Sequence, residues 1–379
     1  MEDKSNETPQ HKAPRSRRRV LTLLAWATAA VLVICGGTGG YLYWKLNGNI
    51  KTVDINSALG SDRPAASTTG AMNILVLGSD SRSGGNSKVA GGTDDGTARS
   101  DTAMVVHVNE AHTHADVVSI PRDTLVTRPT CGTKAGASEV MFNTAYEVGG
   151  ATCAVKTVES MTGLRMDHYI EVDFEGFAKL VDALGGVTVT TTVDINDSDS
   201  GLHLKAGTHK LTGQQALDFV RTRHGVGDGS DLGRIELQQQ FVKALMSQMQ
   251  NLGLLTDPVK LYELASTATS SITTDSDLGS VTSLVSFAES MKNIKSSDIT
   301  AVTMPNTTAP SDPNRVVALE PEATELWTAL QNDTSVPKSV TALQSADPAT
   351  SVSASAGEFF GRGSCMACRA VPRAPECCN

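Results

Sequence analysis

Apolar and polar positions divide the chain into contrasting stretches. Residues 20–44 are apolar or small and carry no charge, with Arg15, Arg17, Arg18 and Arg19 just before them and Tyr41, Tyr43 and Trp44 at their end. At about 1.5 Å of rise per residue, a helix of that length crosses a hydrocarbon core of about 30 Å. Basic clusters stay on the cytoplasmic side and aromatic residues settle at the interface. The pattern therefore predicts a single-pass cell-membrane protein: residues 1–19 a cytoplasmic basic tail, 20–44 a transmembrane helix, and the remainder extracytoplasmic. A cleaved signal peptide fits less well, because the stretch exceeds a usual signal core and no small-x-small site follows it. Residues 45–70, polar and rich in Ser, Thr, Ala and Asp, read as a stalk.

Past Met72 the periodicity changes. Residues 73–77 (NILVL) form a continuous apolar run, as in a strand buried on both faces. Residues 103–108 and 116–120 are two further strands. The short polar connection between them makes them an antiparallel pair. Residues 168–173 alternate as a strand, 174–184 carry a helical apolar face, Gly185-Gly186 stop it, and 187–190 resume a strand. Helical spacing also covers 143–148, 151–161, 213–221, 232–250, 258–269, 278–291 and 321–330, with a late strand at 299–304. This alternation predicts an α/β domain over 71–332, a mixed central sheet with helices on both faces in three layers. Residues 333–379 turn to Ser, Thr, Ala and Pro and receive no structure.

The 40% hydrophobic content of the 379 residues supports a core of that size. A net charge of −9 argues against general nucleic-acid binding, so any anion site must be a local cluster. Between the apolar stretch and the tail the only cysteines are Cys131 and Cys153, an even pair on the oxidising side of the membrane, which predicts a disulfide. The tail carries Cys365, Cys368, Cys377 and Cys378, but no histidine flanks them and no element supports a zinc site there.

Candidate chemistry follows from where polar residues fall relative to strands. Asp80 lies just past the first strand, Asp101 just before the second and Arg122 just past the third. If the first and third strands run together, all three gather at one sheet end, the usual ligand edge of open α/β sheets. Two adjacent carboxylates repel unless a cation joins them, and oxygen ligands beside a phosphate suit Mg²⁺ or Mn²⁺. Asp94 and Asp95 read as solvated loop residues. In VRTRHGVGDGSDLGRIELQQQF, Asp231 reads as a helix N-cap. Ile235, Phe241, Val242, Leu245, Met246 and Met249 form one apolar arc, and Arg234 and Gln238 fall inside it. A charge on an inward helical face requires an anion, and a guanidinium fork at a helix N-terminus favours phosphate. Arg221 and Arg223 supply two more forks just upstream.

The ordered segments NILVLGSDSR, RSDTAMVVHV, VVSIPRDTLV, FNTAYEVGG, DHYIEVDFEGFAKLVDALGGV and RTRHGVGDGSDLGRIELQQQF resemble the LytR-CpsA-Psr proteins over residues 72–249. The resemblance implies a phosphotransferase that moves a polyprenyl-pyrophosphate-linked glycopolymer, of teichoic acid, arabinogalactan or capsule type, onto peptidoglycan and releases polyprenyl phosphate. It implies that Asp80 and Asp101 hold Mg²⁺ or Mn²⁺, and that Arg122, Arg221, Arg223 and Arg234 grip the pyrophosphate with Gln238 assisting. Asp101, Asp123 or a metal-bound hydroxide remain open as the general base. Met141 stands where many relatives carry lysine, leaving Arg128 or Lys134 as substitutes, and Leu237 stands where relatives often carry a second arginine. A hydrolase or binding protein for the same lipid is the alternative. A membrane-bound transcriptional attenuator is a remote one, since the tail before residue 20 offers only a basic cluster.

Overall fold

The computed structural model describes residues 15–79, 100–223, 231–251 and 258–345. Its frame is a seven-stranded mixed sheet in the order β1-β12-β7-β2-β3-β4-β13. The three predicted strands are at its centre: β2 (Met72–Ser79), β3 (Ser100–Val108) and β4 (Ala115–Ile120). β3 pairs antiparallel with both neighbours, so β2 and β4 run together and end on the same side. β7 (His168–Asp173) lies parallel to β2, β12 (Ile272–Asp275) antiparallel to β7, and β13 (Ile299–Thr303) parallel to β4.

Strand residues alternate between two apolar layers because neighbouring side chains point to opposite faces. Leu75, Leu77, Ala103, Val105, Val118 and Ile120 pack under α3 (Thr144–Thr162), α9 (Glu322–Gln331) and the short α2 (Ile55–Leu59). Ile74, Met104 and Val117 pack under α6 (Asp231–Asn251) and α8 (Val281–Ser290) through Val242, Met246 and Phe287. The structure is therefore the predicted α/β/α arrangement. A third apolar cluster joins α4 (Phe174–Ala183), β8 (Val187–Thr191), β9 (Ile195–Asp197), β10 (Leu202–Leu204), β11 (Gly207–Leu211), α5 (Gly213–Arg221) and α6 through Val187, Ile195, Phe219, Leu237 and Phe241. That cluster carries the segment of Arg221 and Arg223.

The hairpin β5 (Leu125–Arg128) and β6 (Ala137–Met141) is tied to α3 by the Cys131–Cys153 disulfide, with Cα atoms 5.4 Å apart. α3 is broken by Gly149 and Gly150, the latter at φ 61°, which matches the two predicted helical segments. A Cβ on Gly149 would lie 2.7 Å from Cys153 Cβ, so glycine is what lets the helix bend around the bridge.

Three expectations are corrected. Residues 45–70 are not a free stalk. α1 (Arg15–Asn49) leads straight into edge strand β1 (Lys51–Val53), Ile55 is fully buried, and Arg63 lies in a buried ion pair with Glu159 at 2.6 Å. A three-residue polar edge strand gives no periodicity to detect. Beyond residue 332, α10 (Lys338–Ser345) buries Val340 completely, and Gln344 exchanges hydrogen bonds with the Thr303 backbone. One apolar anchor was hidden there by a polar composition. Met249, assigned to the apolar arc of α6, is 45% exposed because the helix runs past the layer it covers. The Thr22–Asn49 part of α1 is, among the described residues, the one helix long and apolar enough to cross a membrane.

Candidate active site

The end of the sheet where β2 and β4 finish and β3 begins collects the charged residues. Arg122 rides on a tight turn after β4: Thr124 donates to the Pro121 carbonyl from both its N–H and its hydroxyl, at 3.0 and 2.7 Å. The chain entering α3 holds this turn from outside. Phe142 N–H donates to the Thr124 carbonyl and Asn143 N–H to that of Arg122. So fixed, Arg122 Nη1 donates to Asp101 Oδ1 at 2.7 Å. Both side chains keep about a quarter of their surface exposed, so a ligand can reach the pair. Asp123 lies 3.5 Å from Arg122 Nε and 3.7 Å from Arg315 Nη1.

From the other side comes the first half of α6. Arg234 and Gln238, one turn apart, are both buried. Arg234 Nη2 donates to the Asp101 carbonyl at 3.1 Å. Gln238 Nε2 bridges Thr102 Oγ1 and the Val220 carbonyl at 3.0 and 3.1 Å. Gln238 thus ties α6 to β3 and to the end of α5. Leu237, at the position where relatives often carry a second arginine, is buried with Phe219 and Phe241.

Arg221 closes α5 and stacks on the Phe174 ring, its guanidinium carbon 5.0 Å from the ring centre. Arg223 follows, and Asp197 holds its backbone. The Asp197 carboxylate is buried and accepts from Arg223 N–H at 2.9 Å and Asp199 N–H at 2.9 Å. The Thr222 hydroxyl donates to the Asp218 carbonyl, which leaves the Ser200 hydroxyl to donate to Thr222 at 2.8 Å. Asp101, Asp197, Asp199, Ser200, Arg221, Arg223 and Arg234 line one open cavity of about 190 Å³. Asp197, Asp199 and Ser200 were not anticipated from the sequence. The Asp-x-Asp-Ser turn signal in DINDSDSG was the available clue.

Two groups close to this end are committed to structure. Glu171 on β7 accepts from the hydroxyls of Tyr146 and Tyr169 at 2.7 and 2.6 Å. Burial, and then the Glu171 charge, push both phenols above their ordinary range, so they stay protonated donors. Arg128 is buried and donates to the Ala135 carbonyl of its own hairpin, Lys134 is exposed, and neither lines the cavity.

Asp80, Asp94, Asp95 and His224 lie outside the described residues, as does the Cys365–Cys378 region. α6 begins at Asp231, whose side chain is also outside them. Among the described residues no three His, Cys, Asp or Glu side chains gather as a metal site. Asp101 contributes one reachable carboxylate beside a cluster of guanidinium forks. That fits Mg²⁺ or Mn²⁺, which are held by one or two carboxylates and complete their shell with water and substrate phosphate.

At this end of the sheet Arg122 pairs with the Asp101 carboxylate, Arg234 bonds the Asp101 backbone carbonyl, and Arg221 and Arg223 line the same cavity as Asp101 and Arg234. The chain belongs to the LytR_cpsA_psr family, whose model matches residues 42–332. It is 32% identical over 317 residues to the cell wall biosynthesis protein LcpA of Corynebacterium glutamicum, covering 76% of this chain and 60% of LcpA. It therefore spans about three fifths of that relative's length. It is 28% identical over 312 residues to the polyisoprenyl-teichoic acid–peptidoglycan teichoic acid transferase TagT of Bacillus subtilis, covering 79% of this chain and 90% of TagT. The fold is that of a LytR-Csp2A-Psr enzyme from Actinomyces oris, at TM-score 0.56 and 23% identity over 75% of this chain and 96% of that one. It is also that of YwtF (TagT) with bound octaprenyl pyrophosphate lipid, at TM-score 0.50 and 21% identity over 72% and 96%.

Proposed function

We propose that this protein is a cell-wall glycopolymer transferase that takes a polyprenyl-pyrophosphate-linked polymer and attaches it to peptidoglycan, releasing polyprenyl phosphate. The observation that carries the proposal is the meeting of Arg221, Arg223 and Arg234 with Asp101 around one cavity, with Arg122 on the same carboxylate. Family membership, a relative named for transfer from a polyisoprenyl carrier to peptidoglycan, and a structural neighbour holding a prenyl pyrophosphate support it.

Phosphoryl transfer asks a protein chiefly to position groups and to neutralise charge on the transferring oxygens. The pyrophosphate bears two negative charges. Arg122, Arg221, Arg223 and Arg234 would hold it with the sugar-linked phosphorus over Asp101. An acceptor hydroxyl of peptidoglycan attacks that phosphorus. The new P–O bond forms as the bond to the bridging oxygen breaks, and polyprenyl phosphate leaves with the electron pair. The acceptor proton passes to Asp101, a carboxylate that lines the cavity and sits among the arginines. Asp123 does not line it and pairs with Arg122 and Arg315, so it acts by holding Arg122. Asp80 and Asp101 would hold Mg²⁺ or Mn²⁺, which when bound supplies further positive charge to the phosphate oxygens.

The test is incubation of the full-length protein in detergent with a polyprenyl-pyrophosphate oligosaccharide, Mg²⁺ and nascent peptidoglycan. The expected result is release of polyprenyl phosphate in step with polymer attachment. Release without attachment would establish the hydrolase instead.

A further inference from the structure

A second cavity, of different chemistry, shares one turn of chain with the arginine cavity. Arg122 of the Pro121–Thr124 turn pairs with Asp101, which lines the first. Thr124, two residues and at most about 7 Å further on, lines the second, of about 210 Å³. The hairpin of β14 (Asn306–Ala309) and β15 (Asp312–Ala318) leans on the same turn. Arg315 lies 3.7 Å from Asp123, Thr124 bridges to Val316, and Ala318 lines the second cavity. Neither α1 nor α7 (Pro258–Ser271), which packs beside it, lines either cavity.

The second cavity has an apolar floor and a hydroxyl rim. Val126, Met304 and Trp327 are buried and form the floor, with Trp327 5% exposed. The Trp327 indole N–H bonds no group among the described residues and is not sealed from solvent, so it stays available to an acceptor. Thr127, Ser160 and Thr324 form the exposed rim, and their hydroxyls bond no group among the described residues. Beside them the Glu320 carboxylate accepts from Thr324 N–H at 3.1 Å through one oxygen and leaves the other open.

That lining selects among ligands. Among the described residues no lysine or arginine lines the cavity, so it lacks the forks that hold a phosphate. A prenyl tail would strip water from the rim hydroxyls and the carboxylate without bonding them. A pyranose ring satisfies both halves, its C–H face against Trp327 and its hydroxyls on the rim. The volume of about 210 Å³ falls below the about 300–1,000 Å³ of a site for a drug-sized ligand, which suits one ring of a longer chain.

We propose that this cavity is an acceptor subsite that takes one uncharged, N-acetylated amino-sugar ring of the peptidoglycan glycan. The strand beyond that ring would pass the Arg122 turn and bring a hydroxyl toward the phosphorus over Asp101. The identity of the glycan rests on the transferase reading; the fit to a neutral sugar does not.

The test is calorimetry of the full-length protein in detergent with a tetrasaccharide of β-1,4-linked N-acetylglucosamine. Thr127→Trp and Ser160→Trp each fill the cavity from an exposed rim position and leave the core untouched. Each should weaken tetrasaccharide binding about tenfold or more, the loss expected at the centre of a contact, while the affinity for a short polyprenyl pyrophosphate stays that of the wild type. No binding by the wild type, or equal binding by all three proteins, overturns the proposal. Loss of polyprenyl pyrophosphate in place of the tetrasaccharide overturns it also and gives the cavity to the lipid. No lipid-linked polymer is present in the tetrasaccharide titration, so its failure and a failure of the transfer assay are separate results.

Discussion

Two arginine–carboxylate pairs in this protein share the same chemistry and do different work. Arg63 and Glu159 are buried, and protein groups fill them. Arg63 donates to both oxygens of Glu159 at 2.6 to 3.1 Å, to Asn56 Oδ1 at 2.6 Å and to the Met166 carbonyl at 2.7 Å, and Glu159 also accepts from Met166 N–H. Arg122 and Asp101 meet at a similar 2.7 Å but with about a quarter of each side chain exposed, and Asp101 lines a cavity with Arg221, Arg223 and Arg234. The first pair closes the segment after α1 onto the domain. In the proposed function the second would exchange its protein partner for a ligand. Satisfaction by the fold, more than distance, separates a structural ion pair from a binding one.

The comparison breaks most visibly in turnover. Arg122→Ala should lower polymer transfer by about 10²–10³-fold, the usual loss when one donor to a developing charge is removed. Its melting temperature should stay near that of the wild type, because a part-exposed ion pair contributes at most about 1 kcal/mol. Arg63→Ala should do the reverse. Unpairing a buried charge costs about 3–5 kcal/mol, read as a lower denaturation midpoint, while turnover per folded molecule is kept. Equal effects of the two variants in both assays would erase the distinction.

A smaller effect is expected from the Cys131–Cys153 bridge. Cys131→Ser with Cys153→Ser should cost about 3 kcal/mol in the chain-entropy model and leave transfer intact, since neither residue lines the cavity. Smaller again is an acid-limb effect at Asp275. Burial raises its carboxyl, but the hydrogen bond and charge of His168 and the N–H groups of Tyr169 and Leu278 outweigh that and hold it below the ordinary value. A depressed folded pKa gives stability that is present above the unfolded value of about 3.9 and lost as pH falls through the folded one. Asp275→Asn should therefore flatten the loss of stability below about pH 4 in urea titrations. An unchanged acid limb would contradict the assignment.

The sequence was most informative where many residues repeat one constraint. The NILVL run, the antiparallel neighbour pair and the inward Arg234 and Gln238 each follow from periodicity, and the sheet places Asp101 and Arg122 together as that pattern requires. It was least informative where one residue carries the contact. Val340 is the one buried side chain among the described residues of α10, within a Ser/Thr-rich stretch, β1 spans three residues, and Arg63 finds Glu159 across 96 positions. Asp197 was missed for a related reason: it acts through the backbone of Arg223, and a backbone partner leaves no pattern in side-chain types.

The most direct test of the arginine site is the affinity of a short polyprenyl pyrophosphate for the wild type and for Arg234→Ala, measured by calorimetry in Mg²⁺. Loss of a charge-assisted hydrogen bond to phosphate, about 1.5–3 kcal/mol, predicts binding weaker by about ten- to a hundredfold. An unchanged affinity in a variant that remains folded would contradict the account.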